Sequence, residues 1–445
     1  MTADLSSDAV NGFQLNCESI PNFGTWIELC EFIPSHIQVR PSVLEYVLMN
    51  DNTNFPDMNE RIFINEILPK LIDIANELDQ LFPDLLIPYL SYKQNTLTFT
   101  RKQVLCLVCH LFFGTQQPQL TALNWRSSHC DFRSWLHVPQ LEMTLSEVTD
   151  ETPPVNYTRC LLHYFQTAVQ WSESKLQENV IFQLSQASEQ QLEWSSDTKR
   201  VDLSAVITEI CLTERIGDRP YETTEVDFAN ECIGFGSSGT QEEIVFGCSP
   251  EMCVATLFTP PLKDNEAVLI EGAEKVCGCR GYGLKLCLYP WIEKESKIQR
   301  RHVLCIDAID FYEKLAYSKE YKNSRIDVLT FLKFQLRPEF VNRELGKLVA
   351  GFSICPQSKP IATGKWGCGV FGGFPLVKIL LQILAAAKTE RQLQLCLFAD
   401  EELRSFLNEL NERFVNGRTI ADVYADLVAE NNDLIEFLVK HSNIC

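Results

Sequence analysis

The 445-residue chain is 45% hydrophobic and 22% charged, the balance of a folded globular protein rather than a disordered one. Its 59 acidic and 39 basic side chains leave a formal charge of −20, which disfavours nonspecific binding to duplex nucleic acid, since that needs a basic face. No uncharged apolar run is long enough to span a bilayer, so no membrane span is expected.

The first thirty residues carry acids and polar groups with no basic region leading into an apolar one, so no secretory signal is expected. The 18 cysteines are scattered through apolar stretches such as "VLCLVCHLFF" and "LQLCLF" and read as reduced, buried thiols of a nuclear or cytoplasmic protein. "NERIFINEILPKLIDIANELDQLF" sets Ile62, Ile64, Ile67, Leu68, Leu71, Ile72 and Ile74 mostly three or four apart, which predicts a helix. "TFTRKQVLCLVCHLFFG" offers Thr100 as N-cap and Gly114 as stop for a second helix. "NYTRCLLHYFQTAVQW" reads as a third, after the loop "TDETPPVNYT". From about residue 200 short β-type runs appear: "RVDLSAVITEICL", "TEVDFA", "EAVLIEGA", "HVLCIDAIDF" and "LQLCLFAD". Helical stretches including "SPEMCVATLF" and "FPLVKILLQILAAAKTERQ" separate several of them, which argues an α/β domain on a mixed sheet. The division falls into 1–198, mainly helical, and 199–445, α/β.

"VDFANECIGFGSSGTQEEIVF", residues 226 to 246, spaces three glycines as G-x-G-x-x-G before adjacent acids, Glu242 and Glu243. A dinucleotide fingerprint is disfavoured, because acids at a helix start compete with a pyrophosphate for the same amides. Thr240 and Glu243 have capping-box spacing. That reading leaves the glycines, Asp227 and Asn230 as turn residues or as something more. The second glycine-rich run, "ATGKWGCGVFGG", ends at a predicted helix start near Phe374. Such a run is either a tight structural turn packing Trp366 and Phe371 or an anion site built from backbone amides. "CLVCH" (Cys106 to His110) matches a haem-attachment pattern but lies on an apolar helix, where core packing is expected. Cys277 and Cys279 lack a partner pair at zinc-finger spacing, and no metal or cofactor is expected. Asp307 and Asp310 in "CIDAIDF" read as strand-end residues, with a buried, hydrogen-bonded Asp.

Together these motifs resemble the eukaryotic-type poly(ADP-ribose) glycohydrolases. The family's V-D-F-A-N, glycine loop and Q-E-E are similar to "VDFAN", "GFG" and "QEE"; its G-A-E segment and aromatic at G-Y resemble "GAEKVCGCRGYG". "CIDAIDF", "ATGKWGCGVFGG" and "LLQILAAA" complete an ordered series over roughly residues 200 to 400, and the helical half resembles the family's accessory domain from about residue 55. The resemblance implies a macrodomain-like α/β fold, a mixed β-sheet flanked by helices, preceded by an α-helical accessory domain. It implies cleavage of the ribose–ribose O-glycosidic bond of poly(ADP-ribose), without cofactor or metal.

By the same resemblance Glu243 would be the acid/base. Glu242 and Asn230 would hold ribose hydroxyls, with Gln241 lining the site and Asp227 ordering the loop. The charge of Glu242 would raise the pKa of Glu243. Tyr282 would stack on adenine with Phe398 opposite. Gly234 and Gly236 would serve the first loop. Lys365, Trp366, Gly367, Cys368, Gly369 and Val370 would surround the diphosphate, with Phe371 against the distal ribose. The chain departs from the family at Phe235, where the middle glycine stands, and in having only "SSGT" between loop and Gln241. Lys365 stands where the family has Asn, and Phe374 where it has Asp. Two functional readings follow: a hydrolase, or a degenerate relative that binds ADP-ribose or its polymer with little turnover. The expected partners are poly(ADP-ribose) or ADP-ribosylated proteins, with no sequence-specific nucleic acid and no membrane; the protein is expected to be a monomer of the nucleus and/or cytoplasm.

Overall fold

The computed structural model describes residues 12–33, 42–50, 55, 59–116, 132–136, 152–219, 221–290, 300–319, 326–397, 401–429 and 431–441. Its strands, in chain order, are β1 (Gly12–Gln14), β2 (Leu86–Pro88), β3 (Thr96–Thr100), β4 (Asn179–Gln186), β5 (Ile207–Cys211) and β6 (Thr224–Ala229). They continue with β7 (Glu266–Glu274), β8 (Cys277–Arg280), β9 (Cys287–Pro290), β10 (Arg300–Asp307), β11 (Ile361–Thr363) and β12 (Leu393–Cys396). Eight form one mixed sheet in the order β3-β4-β7-β10-β6-β11-β12-β5, the α/β architecture expected; β1–β2 and β8–β9 are antiparallel pairs. The chain divides into two compact units, Met1–Gln183 with Cys232–Pro261 and Ile270–Arg301, and Leu184–Glu231 with Leu262–Leu269 and His302–Cys445.

The first unit is mainly helical. Thr100 caps the Arg101–Phe113 helix through a reciprocal box with Gln103, and Gly114, at φ 70°, ends it, both as expected from sequence. Cys106, Cys109 and His110 are buried on this helix, consistent with core packing rather than haem attachment. Burial pushes the His110 imidazole down to about 4, so at neutral pH the ring is uncharged. The same helix buries Arg101, whose guanidinium forms ion pairs with Glu251, Glu178 and Glu274 and donates to Gly272 O at 2.8 Å. The predicted helix over residues 59–82 is interrupted by a π-helical turn, Phe63–Ile67. Pro69 follows directly and has no N–H for the carbonyl four residues back, so the ladder widens there. "TDETPPVNYT" is not loop throughout: Pro153 and Pro154 begin the Pro153–Ala168 helix, where a missing N–H costs nothing. "SPEMCVATLF" forms a 3₁₀-helix, Pro250–Leu257, rather than an α-helix.

The second unit carries a parallel array. β6 lies between β10 and β11, β11 pairs β12, and β12 pairs β5, all parallel. β6 and β10 are buried along most of their length, as in a sheet covered on both faces, although they carry Glu225, Asp227, Arg301 and Asp307 among their apolar residues. The long helices Pro338–Ile354 and Pro375–Thr389 share one core with Val226, Leu304, Ile306, Ile361 and Leu393. "RVDLSAVITEICL" is not one strand: Asp202 accepts from the backbone N–H groups of Ser204 and Ala205, capping a helical turn, Leu203–Val206, before β5. Asp307, at the end of β10, is buried and forms ion pairs with Arg343 and Lys347, as its strand-end reading anticipated. Asp310 caps the Phe311–Ala316 helix. Among the described residues no helix is long and apolar enough to cross a membrane.

Candidate functional site

The candidate residues fall in two groups, one on each unit. In the first unit the loop 234–240 leads into the Gln241–Gly247 helix, which carries Glu242 and Glu243 in its first turn. Thr240 has the extended backbone of an N-cap, but its side chain makes no capping bond. The capping box is therefore half present: the Thr240 N–H acts on the Glu243 carboxylate, but the hydroxyl gives nothing in return.

Glu243 is half-buried, with Oε1 facing Gly236 and Oε2 enclosed and, among the described residues, without a hydrogen-bond partner. Burial holds its carboxyl above the usual range, against the lowering effect of its own N–H, the Ser238 hydroxyl and the Thr240 N–H. The direction is the one a general acid needs, but the cause differs from the expected one. Burial raises the group, and Glu242 is not among the causes. The Glu242 carboxylate is instead turned to accept from the Gly234 N–H at 3.1 Å, which closes the loop on itself. Gln241 lies beside these acids, half-buried.

Phe235 occupies the family's glycine position by leaving the loop surface altogether. It is 2% exposed and packs on Phe132, Trp135 and Phe246, with centroids 5.1, 4.9 and 6.4 Å away. Trp135 stacks in turn on Tyr157 at 5.2 Å. Trp135 Nε1 donates to Gly236 O at 2.9 Å, and the Tyr157 hydroxyl donates to Ser238 O at 2.7 Å. Beyond Ser238 the loop meets the turn that follows β8: the Gly283 N–H donates to Gly239 O at 2.9 Å. Tyr282, 41% exposed, stands on that turn.

The second unit holds the other group. Asp227 is fully buried on β6 in register with Cys305 of β10, and Asn230 is exposed just past the strand end. After β11 the glycine loop is fastened at several points. Trp366 is fully buried and donates from Nε1 to Ile306 O at 3.0 Å. Gly367 has φ 71°, and a side chain there would come within 2.5 Å of the Ala308 methyl, so glycine is required twice over. The Gly373 N–H returns to Gly367 O at 2.8 Å, Gln335 Nε2 holds Gly372 O at 3.0 Å, and the Phe311 N–H holds Phe371 O at 2.8 Å. Lys365, Cys368 and Phe371 are half-buried; Gly369 and Val370 form the exposed crest. The structural-turn reading of this stretch is met at its base, where Trp366 is core. Behind it Lys378 pairs with Glu344 in the core and lies 4.3 Å from the Trp366 ring centroid. Glu344 Oε1 also accepts from the Ile309 N–H at 2.6 Å. Phe398 lies outside the described residues.

Sequence reasoning missed Trp135, Tyr157, Lys378 and Glu344. Trp135 lies 101 residues and Tyr157 lies 81 residues upstream of the loop carbonyl each holds, and only a cluster of aromatics in "CDFRSWL" hinted at the first. Among the described residues, the ligand-type group Glu209, Cys211 and Glu214 draws its atoms within 4.8 Å of one another. Arg219 forms ion pairs with both of those carboxylates and already supplies their countercharge.

Two family models match the chain: the macro domain fold of poly(ADP-ribose) glycohydrolase over residues 192–405, and its helical domain over residues 55–183. Among curated proteins, Poly(ADP-ribose) glycohydrolase 1 of Caenorhabditis elegans is 34% identical over 210 residues, covering 43% of this chain and 25% of the relative. The "Probable poly(ADP-ribose) glycohydrolase 2" of Arabidopsis thaliana is 28% identical over 319 residues, covering 63% of this chain and 60% of that protein. The chain thus spans between a quarter and three fifths of the length of these relatives. A crystal structure of poly(ADP-ribose) glycohydrolase from Deinococcus radiodurans in complex with ADP-ribose aligns at TM-score 0.31 and 15% identity, covering 52% of this chain and 94% of that one.

Proposed function

Since the chain belongs to the poly(ADP-ribose) glycohydrolase family, we propose that it hydrolyses ribose–ribose O-glycosidic bonds in poly(ADP-ribose), with Glu243 as acid and base. The observation that carries this reading is the state of Glu243: a carboxyl raised by burial, with one oxygen left unpartnered, at the head of a helix closed by a glycine loop. A protonated Glu243 gives its proton to the leaving 2′ oxygen as the glycosidic bond breaks and the bonding pair stays on that oxygen. The anomeric carbon, now oxocarbenium-like, is attacked by water, whose proton returns to the Glu243 carboxylate. One water is consumed and Glu243 ends as it began.

The remaining roles follow the same reading. Glu242 and Asn230 hold ribose hydroxyls, Gln241 lines the site, Asp227 orders the loop, and Tyr282 stacks on adenine. The second loop, Lys365 to Val370, takes the diphosphate on backbone N–H groups, and Phe371 borders the distal ribose.

A second reading, recognition of ADP-ribose without turnover, is favoured by the loop alone, shortened and with Phe235 withdrawn into an aromatic cluster. The two part on one experiment. Purified protein is incubated with defined poly(ADP-ribose), and released ADP-ribose is followed by chromatography beside Glu243→Gln. The hydrolase reading expects release by the wild type and a loss of about a hundredfold or more in the variant. No release by a wild type that binds polymer tightly would sink it; equal release by both would sink Glu243 as the acid.

A further inference from the structure

We propose that Trp135 and Tyr157 are positioning residues for the acid-bearing loop, aiming its Ser237 and Gly239 N–H groups at the anionic diphosphate-ribose ligand. The proposal rests on the functional reading of the loop given above. Its basis is geometric. Trp135 Nε1 holds Gly236 O at 2.9 Å and the Tyr157 hydroxyl holds Ser238 O at 2.7 Å. In a trans peptide the C=O and N–H point in opposite directions, and the described backbone has no cis bond. Fixing the carbonyls of residues 236 and 238 on the aromatic side therefore turns the N–H groups of Ser237 and Gly239 to the other side. Among the described residues neither N–H has a protein acceptor. Two alternate N–H groups on one side of a tight loop form a concave donor pair of the kind that receives an oxyanion.

The anchors also explain the two departures from the family pattern. A loop of four residues between Gly236 and Gln241 cannot wrap around its ligand, so its orientation has to be set from behind. Phe235 supplies the pivot. Its ring is clamped between Phe132, Trp135 and Phe246, which fixes the backbone one residue before the first held carbonyl. Trp135 and Tyr157 stack on each other at 5.2 Å and 29°, so the two donors move as one body. Glu243 Oε1 faces Gly236, the residue Trp135 holds, so the same anchor sets the enclosure of the acid.

The test removes each donor and keeps each ring: Trp135→Phe, Tyr157→Phe and the double variant, in the full chain. ADP-ribose affinity is measured by calorimetry, and kcat, KM and the pH profile on poly(ADP-ribose). Each single variant is expected to lose about fivefold to tenfold in ADP-ribose affinity, and kcat is expected to fall about tenfold as the acid is misplaced. The alkaline limb of the pH profile moves to lower pH, because a loosened loop admits water to Glu243 and burial is what raises it. A purely structural role would lower the melting temperature and leave affinity and the pH profile at wild-type values; that result overturns the proposal. A wild type that binds ADP-ribose but releases none would sink the hydrolase reading, and the affinity arm would still decide on the anchors. A wild type that binds no ADP-ribose overturns both.

Discussion

Replacing Lys378 by Met would test how the second glycine loop is held. The ammonium is about 1% exposed, pairs with an equally buried Glu344, and stands 4.3 Å from the Trp366 ring centroid. Met keeps the length and the apolar contact and deletes only the charge. Glu344 then stays in the core with the Ile309 N–H at 2.6 Å and, more distantly, the Arg343 guanidinium at 3.5 Å as its donors. Breaking a buried pair from one side costs about 3–5 kcal/mol, most of it the burial of the charge left behind. Against a typical total of about 5–15 kcal/mol that is a large fraction. Urea unfolding followed by tryptophan fluorescence reads it as a lowered midpoint at unchanged slope. The companion Lys378→Met/Glu344→Gln removes the stranded charge and keeps an acceptor for Ile309, so it is expected to recover at least half of the loss. A single-variant loss below about 1 kcal/mol, or no recovery in the double variant, would refute the argument that this pair is what secures Trp366 and Gly367.

Two further expectations follow from the first unit. Because Glu243 is raised by burial, kcat/KM should fall as pH climbs through a value above the ordinary carboxylate range, as the acid form is lost. The stability sign follows. The folded protein holds that proton more tightly than the unfolded chain, so this contribution is present below the unfolded carboxyl value and is lost as pH rises through the folded one. Glu243→Gln should therefore gain in melting temperature relative to wild type as pH rises above the ordinary carboxylate range; a constant difference would contradict the burial account. Gly239→Ala would put a methyl within 2.6 Å of the Gly283 backbone and force the Tyr282 turn away. A stability loss of about 1–3 kcal/mol is expected from the overlap, with KM raised more than kcat is lowered. An unchanged KM would separate Tyr282 from ligand binding.

What could be read from the sequence had local causes. Thr100 and Gly114 were legible as helix ends because each acts within four residues, and Asp307 because a lone acid in an apolar run demands a partner. The α/β texture after residue 200 was legible from strand periodicity. Asp202 was lost inside an apolar run although its cap is local too. The fate of Thr240 was not legible, since T-x-x-E spacing does not say which rotamer the loop allows. The cause of the raised Glu243 was misread because adjacency in sequence is not proximity of charge. Glu242 faces Gly234, and burial does the rest. Phe235 looked like an obstruction in a glycine loop. Its place in the core depended on Phe132 and Trp135, about a hundred residues away, a relation no local pattern carries.

The anchored loop also bears on the thermodynamics of recognition. Ordering a free backbone costs about 1–2 kcal/mol per residue, and a long glycine-rich loop would meet that cost when its ligand arrives. In this chain the carbonyls of Gly236, Ser238 and Gly239 are already committed to Trp135, Tyr157 and Gly283 before any ligand is present. The entropy is spent in folding. Recognition at this loop should consequently have the calorimetric profile of a rigid receptor, with a small unfavourable entropy and little change in loop protection from hydrogen exchange.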